Sequence, residues 1–550
     1  MGLQPRCRVR RADSSRTFPP HPPPPTRAEQ IVGTLPTLPH HPLLMYTATL
    51  TLAAYADWFA ASLKAQVASC VQLFPQLLAM LGRALQDPEA ASAGALAFKH
   101  VCDACRSLLQ PYWADLQTMY SSVVAFTPQQ AGGAPAAPGA LRMTPMDVLQ
   151  VIEGMSCVIS SFPLDQLDSA IQVLTAPIAT ALQATLATQQ ATVPGILSHV
   201  DKLSAIFKSV NRPPVVARLL MQVWNILDTA LSAVGPSDKG AERVTRAMRL
   251  GLKTAGVETA PMLQHLFSTI PARYKEHHHA CILYLSSELV KIYGADPQLQ
   301  GALRQIVHDL VAESAPFLQQ PKDFDEKPDV ADDFFLLSCR VLSYCPSIFL
   351  LAQPPVGGLV LHPLTLAPDA DVIRPRAQVL PHILHMAITG LYVQHPEASQ
   401  SILQCLQRIC DLDGPHYQQV GAAGVQAATA AVGACGPQLV HRLLGALLGV
   451  LPVSRMGEVG TTLYLLCRSA GEQGLQWVQQ SCAAVPETAA SQEDKQPFLF
   501  QALQASQRHK GERYFVAAAS ELGELCRRNR KAGEAIVQVF VEGAPGRAEA

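Results

Sequence analysis

The sequence has no excess of charge of either sign. Its 550 residues include 42 basic and 43 acidic side chains, so the formal net charge is −1, and charged residues make up only 15% of the chain. A protein that binds nucleic acid over a broad surface needs an excess of Lys and Arg to displace counterions. The composition therefore argues against direct nucleic-acid binding and predicts that any basic site is local.

Aromatic residues are also scarce, at 6%, although apolar residues as a whole make up 49% of the chain. Ala and Leu are abundant, and these residues favour helices, whereas aromatic and β-branched residues favour strands. The apolar fraction supplies a large core and excludes a globally disordered chain. No apolar run of about 18 residues lacks a charge, a proline or a polar break, so we expect no membrane insertion.

Signatures of catalysis and metal binding are missing. The sequence contains no Walker A loop, GxGxxG turn, GxSxG elbow or HExxH helix. Cys102 and Cys105 form an isolated CxxC pair, and two thiols cannot supply the four ligands of a zinc site. The run His277 to His279 cannot converge on one metal from a helix, because consecutive residues point in different directions. We therefore predict no enzyme, no catalytic residue, no cofactor and no metal, with the cysteines packed in the core of an intracellular protein.

The organisation of the chain is that of a helical repeat array. Residues 1–42 hold ten prolines and a basic cluster, which predicts a disordered leader. From residue 43 to 541 apolar stripes recur at helical spacing, as at Leu303, Ile306, Val307 and Leu310. The predicted helices include 213–233, 239–255, 417–432 and 436–450, and pairs of such helices recur about every 40 to 50 residues. This pattern predicts an all-α fold, an α-solenoid of HEAT repeats built from stacked antiparallel helix pairs, followed by a disordered tail over 542–550.

Three segments interrupt the helical pattern and predict flexible loops. Residues 127–144 contain Gly and Pro, and residues 352–378 have the composition of an insertion within one repeat. Residues 321–333 are acidic, and we interpret them as a connector. Such a connector could contact a basic partner, but a charged loop is more often simply solvated.

One segment carries a candidate binding site. Four cations, Arg243, Arg246, Arg249 and Lys253, occupy relative positions 0, 3, 6 and 10 of a predicted helix. At about 100° per residue they project within one arc of about 120°. Arg suits bidentate recognition of phosphate, so the row predicts a phosphate-binding surface. The alternative is an ordinary solvated basic face. The residues expected to pack inward from the opposite side are Val244, Ala247, Met248, Gly251 and Leu252.

Several longer stretches resemble a known family in their order and spacing. They run from Tyr46 to Trp58, Phe98 to Cys105, Leu203 to Lys208, Cys281 to Val290, Val330 to Phe335 and Phe515 to Arg528. From residue 43 to 530 the chain resembles the C-terminal half to two-thirds of the transportin-SR (transportin-3) group, karyopherins of the importin-β family that are close to importin-13.

The resemblance implies a HEAT solenoid that carries Ser/Arg-rich (RS) splicing factors into the nucleus and releases them to Ran-GTP. In that family an arginine-rich helix grips phosphorylated RS segments. Arg243, Arg246 and Arg249 keep the family's spacing, whereas Lys253 stands where the family tends to have Arg. The implied partners are SR-type cargo proteins, Ran and nucleoporins, and the implied localisation is shuttling between nucleus and cytoplasm.

Two qualifications apply to what the resemblance implies. The family's N-terminal repeats, which form its main grip on Ran-GTP, have no counterpart in this sequence, so we expect the chain to bind Ran weakly. A HEAT-repeat scaffold or adaptor without a transport role is the alternative function. Such a scaffold should bind neither a phosphorylated RS peptide nor Ran-GTP.

Overall fold

Every regular element in the described part of the chain is a helix. The structure is a computed structural model that describes residues 27–125, 143–188, 191–351, 379–509, 511–528 and 530–542. None of these residues lies in a strand, which confirms the predicted all-α class. The described residues fall into two units, one from 1–181 and 201–212, the other from 182–200 and 213–550.

Within each described stretch the helices follow one another with short connections. In the first third of the chain they are α1 Arg27–Thr34, α2 Pro42–Ala54, α3 Ala56–Lys64, α4 Ala68–Gln86, α5 Ala91–Ala104, α6 Trp113–Ala125, α7 Pro145–Ile159, α8 Leu164–Ala187 and α9 Val193–Ser209. The next are α10 Pro213–Ala233, α11 Asp238–Ala255, α12 Leu263–His277, α13 Ala280–Tyr293, α14 Gln300–Ser314, α15 Pro321–Glu326, α16 Pro328–Tyr344 and α17 Ser347–Leu350. The last are α18 Val379–Gly390, α19 Pro396–Cys410, α20 Pro415–Gly445, α21 Met456–Ala470, α22 Glu472–Ala483, α23 Gln492–Ser506, α24 Glu512–Cys526 and α25 Arg530–Val537.

The second unit is built from two layers of stacked helices. Helices α11, α13, α16, α19, α21 and α24 pack one after another in the first layer. Each also packs on a partner from the second layer, as α10 does on α11, α12 on α13 and α23 on α24. Each apolar stripe is therefore covered by a neighbour, as repeat packing requires. The first layer carries the candidate cation row.

In the first unit α2, α5 and α7 form a similar row, with α4 and α6 packed beside it. Charged residues link three elements of this unit. The carboxylate of Glu153 lies 2.5 Å from the ammonium of Lys99 and 3.0 Å from that of Lys208. Burial acts to raise the pKa of Glu153, but the two lysines outweigh it and hold that pKa below its usual range. Both ion pairs are therefore formed at neutral pH.

The prediction of a disordered leader over residues 1–42 is wrong for residues 27–42, and residues 1–26 lie outside the described residues. Helix α1 forms within this segment and packs on α4. Val32 is 1% exposed and Leu35 is 7% exposed, and Glu29 accepts a hydrogen bond from Ser69. The segment is ordered because these apolar side chains have a neighbour to bury them.

The prediction of a flexible acidic connector over residues 321–333 is also wrong, because the segment is helical. The carboxylate of Asp323 accepts hydrogen bonds from the backbone N–H groups of Gln319 and Gln320 and so caps the start of α15. Phe324 is 0% exposed and packs against Gly390 of α18. One buried aromatic ring and one cap thus fix a segment whose charges indicated a solvated loop.

The remaining predicted interruptions lie largely outside the described residues. This holds for residues 127–142 of the predicted loop 127–144, for all of 352–378, and for residues 543–550 of the predicted tail. Thr144, which is described, caps α7 by accepting a hydrogen bond from the backbone N–H of Asp147. The predicted core position of the CxxC cysteines is confirmed: Cys102 and Cys105 are both buried, and burial raises the pKa of the Cys105 thiol to about 12.

Among the described residues, α8 is the one helix long and apolar enough to cross a membrane by length and composition alone. Its buried residues lie along one side, with Leu167, Ile171 and Leu174 each at most 2% exposed. Acidic Asp165 and Asp168 lie in its N-terminal part. This distribution is typical of a repeat helix that packs on neighbours.

Candidate functional site

Helix α11 presents the predicted cation row. Its start is capped by Ser237, whose hydroxyl accepts a hydrogen bond from the backbone N–H of Gly240. Its end is set by Gly256, which adopts a φ of +57° that other residues rarely take. All five residues expected to pack inward are buried, namely Val244, Ala247, Met248, Gly251 and Leu252.

Two contacts fix the position of α11 in its unit. A Cβ atom on Gly251 would lie 2.7 Å from a methyl group of Leu220, so glycine allows α10 to approach closely. At the N-terminal end, the ring nitrogens of His279 lie 2.7 Å from the Asp238 carboxylate and 2.9 Å from the Gly235 carbonyl. His279 stands at the joint between α12 and α13 and is buried.

The four cations differ in exposure and in partners. Arg246 and Lys253 are exposed, and Arg243 and Arg249 are half-buried. The Arg246 guanidinium forms an ion pair of 2.9 Å with Glu242, one turn earlier on the same helix. The positions of all four agree with the predicted row on one face of α11. Their role in binding stays a prediction.

Arg249 is held by an aromatic ring from the next helix of the layer. Its guanidinium donates a hydrogen bond of 3.1 Å to the hydroxyl of Tyr284 on α13, and its Cζ atom lies 4.6 Å from the ring centroid. Arg340 of α16 lies over the same ring at 5.1 Å. Arg340 is fixed in turn by hydrogen bonds of 2.7 Å to Glu288 and 2.8 Å to the Ser287 hydroxyl. We call Glu288, Arg340, Tyr284 and Arg249 the tyrosine clamp.

A carboxyl group with an altered pKa lies beside the clamp. Burial, together with the neighbouring carboxylates of Asp332 and Asp329, raises the pKa of Asp333 to about 8. The guanidinium groups of Arg340 and Arg249 act in the opposite direction. Asp333 is therefore mostly uncharged at pH 7 and becomes negative as the pH rises through 8.

Sequence reasoning found the row but missed the residues that surround it. Tyr284 and Glu288 lie in the stretch from Cys281 to Val290, and Asp333 lies in the stretch from Val330 to Phe335. Both stretches contributed to the family resemblance without being recognised as part of a site. The spacing within α11 could not reveal them, because they come from α13 and α16.

Comparisons with known proteins agree with the family resemblance found in the sequence. The family model described as the Transportin-3/Importin-13 fourth TPR domain matches residues 214–318, which include α11 and α13. Transportin MOS14 of Arabidopsis thaliana is 29% identical over 512 residues, which cover 92% of this chain and 48% of the relative. Human Importin-13 is 22% identical over 396 residues, covering 66% of this chain and 40% of the relative. The chain thus spans about half the length, or less, of these relatives.

A solved structure shows the same fold. The structure titled "Importin13 cytosolic state" superposes with a TM-score of 0.69 at 16% identity, covering 92% of this chain and 53% of that chain. At this identity the match concerns the fold alone. It identifies the stacked helices as a helical solenoid.

Proposed function

We propose that this chain is a nuclear transport receptor for phosphorylated Ser/Arg-rich proteins and a member of the transportin-3 and importin-13 group of karyopherins, to which it is similar. Members of the family are transport receptors and not enzymes. The cargo would be bound through the phosphates of its RS segment by Arg243, Arg246, Arg249 and Lys253. Import would be controlled by Ran, with nucleoporins as further partners and shuttling between cytoplasm and nucleus.

The observation that carries the proposal is the cation row on the accessible face of α11. Arginines three residues apart on a helix are separated by a rise of about 4.5 Å. Alternate serines of an extended RS segment are about 6.6 Å apart, a difference that long Arg side chains can span. A phosphoserine carries close to two negative charges and three acceptor oxygens. Successive phosphates can therefore meet successive guanidinium groups.

The test of transport control is displacement of a labelled, phosphorylated RS peptide from the chain by Ran. Ran-GTP in excess should lower the bound fraction, and Ran-GDP should not. A helical scaffold would bind neither the peptide nor Ran, and that result would refute the proposal.

Removing the carboxylate that pairs with Arg246 should strengthen cargo binding. Glu242 is 58% exposed and its partner is 51% exposed, so the pair itself contributes well under 1 kcal/mol. In Glu242→Gln the guanidinium is free for phosphate, and a nearby negative charge is gone. We expect the affinity for the phosphorylated peptide, measured by fluorescence anisotropy, to rise about two- to fivefold.

The matched control is Glu276→Gln. Glu276 is an exposed acid that pairs with Arg273 at 2.6 Å within α12, so this change alters the net charge equally at a position outside the row. It should leave the affinity unchanged within experimental error. Equal gains in the two variants would mean that only the net charge matters.

The affinity should also depend on pH through Asp333. Deprotonation of Asp333 as the pH rises through about 8 places a negative charge near Arg249, which opposes phosphate binding. The phosphate itself is already fully ionised above pH 7. Between pH 7 and pH 9 we expect the affinity to fall about three- to tenfold, the size of a unit-charge interaction at partly screened distances. Titrations of the phosphorylated peptide at several pH values check this. The Asp333→Asn variant should bind the peptide equally well at each pH. If the affinity of this variant still falls as the pH rises, a group other than Asp333 causes the fall.

A further inference from the structure

We propose that Tyr284 is part of the phosphate-binding site: it holds Arg249 in the binding orientation and donates its own hydroxyl proton to the same phosphate. This inference rests on the proposed function and deepens it. It adds to the row on α11 a neutral hydrogen-bond donor from the next helix of the layer.

The position of Tyr284 supports a direct role. The residue is the fifth of α13, which packs beside α11, and its side chain is half-buried. The hydroxyl oxygen lies 3.1 Å from a terminal nitrogen of Arg249. A phosphate oxygen that accepts a hydrogen bond from this guanidinium comes within reach of the hydroxyl group.

The hydroxyl group of Tyr284 still has its own proton to donate. A phenol has one proton to donate and also accepts hydrogen bonds. The Tyr284 oxygen accepts from Arg249, and no acceptor for its proton is found among the residues that the structure describes. An anion bound to Arg249 would supply that acceptor. The donor is neutral, so it adds specificity for the oxygens of an anion without adding net charge.

The clamp also lowers the ordering cost of binding. A free Arg side chain loses rotamer freedom when it binds a ligand, at a cost of about 0.5–1.5 kcal/mol. Arg249 has already lost much of that freedom, because its guanidinium stacks on the Tyr284 ring at 4.6 Å. The Tyr284 ring also contacts Arg340, which is 18% exposed and forms an ion pair with Glu288. Arg249 is therefore preorganised, whereas Arg246 has to leave its ion pair with Glu242.

The experiment measures binding of phosphorylated and unphosphorylated RS peptide to Tyr284→Phe by fluorescence anisotropy. The substitution keeps the ring and its stacking but removes the hydroxyl group. Loss of one hydrogen bond to a charged group predicts an affinity for the phosphorylated peptide about tenfold lower. The affinity for the unphosphorylated peptide should change less than twofold. Tyr284→Leu, which also removes the stacking surface, should weaken phosphopeptide binding further.

A double-mutant cycle with Arg249→Ala separates a role at the site from general damage to the fold. If Tyr284 acts at the phosphate held by Arg249, Tyr284→Phe should cost less than twofold in the Arg249→Ala background. Independent, additive losses would overturn the inference. The control is Tyr392→Phe, which removes the hydroxyl of another ring stacked under an arginine, Arg442 at 4.6 Å, outside the row. It should leave the phosphopeptide affinity unchanged.

The outcomes distinguish this inference from the proposed function. If changing the α11 arginines leaves phosphopeptide binding intact, the proposed function fails and the inference fails with it. If those changes abolish binding while Tyr284→Phe, folded by circular dichroism, binds like the unmodified chain, the inference alone is overturned.

Discussion

Replacing Arg243 and Arg246 together by alanine should weaken binding of a phosphorylated RS peptide by about two to four orders of magnitude. Each arginine is expected to form charge-assisted hydrogen bonds to phosphate, and one such contact is worth about 1.5–3 kcal/mol. Arg246 is exposed and Arg243 is half-buried on a helix whose packing face lies opposite. The double variant should therefore stay folded. Titration calorimetry gives the affinity, and circular dichroism checks the helix content.

The matched control is the pair Arg513→Ala and Arg530→Ala, which removes the same charge from exposed positions distant in sequence. It should reduce the affinity by less than about threefold, through long-range electrostatics that salt screens within about 8–10 Å. If the two double variants lose affinity equally, α11 is an ordinary basic face. If the α11 variant loses none while folded, the row does not bind phosphate.

The second large effect concerns the stability of the segment that joins α14 to α16. Phe324→Ala should destabilise this region by about 3–5 kcal/mol, the usual cost of removing a fully buried aromatic ring. Phe324 is 0% exposed, and α15, which carries it, has only six residues. Such a short helix cannot persist without its anchor. Hydrogen exchange of the backbone amides in α15 and the first turn of α16 should accelerate by about two orders of magnitude or more.

Phe500→Ala provides the comparison, because Phe500 on α23 is 57% exposed. Its loss should change the free energy of unfolding by less than about 0.5 kcal/mol. Gly390→Ala should reproduce part of the Phe324 effect, since a Cβ atom there would lie 2.1 Å from the Phe324 ring. Unchanged exchange in Phe324→Ala would mean that α15 is held by its cap alone.

Helices with strong local signals could be predicted from the sequence. The predicted helix 213–233 agrees with α10, and the predicted helix 239–255 begins one residue after α11 does. Pro213 begins the first helix, Ser237 caps the second, and Gly256 ends it. These signals act over a few neighbouring residues, so they are visible in the sequence.

Breaks set by tertiary packing could not be predicted. The sequence indicated separate helices over 417–432 and 436–450, but in the structure the helical stretch Pro415–Gly445 continues through residues 433–435 and is broken at Gly421 instead. Its non-helical residue is Gly421, with φ +61° and ψ −158°. Gly436, expected to begin the second of these helices, lies under the ring of Trp477, where a Cβ atom would approach to 2.2 Å. A glycine that accommodates a distant ring looks the same in the sequence as a glycine that ends a helix.

The candidate site was predicted only as far as one helix extends. Helical periodicity placed Arg243, Arg246, Arg249 and Lys253 on one face because these residues share α11. The partner of Arg249 is 35 residues away along the chain at Tyr284. That contact depends on how neighbouring repeats stack, which a pattern within one helix does not contain.

The measurement that tests the account most directly is the affinity of the unmodified chain for one RS peptide before and after phosphorylation of its serines, at about 0.15 M salt. The unphosphorylated peptide is a polycation and meets a row of cations, so its binding should be weak. Phosphorylation should strengthen binding by about a hundredfold or more, as two charge-assisted contacts of about 1.5–3 kcal/mol each would do. Equal affinities, or tighter binding of the unphosphorylated peptide, would contradict the assignment of α11 as the phosphate-binding helix.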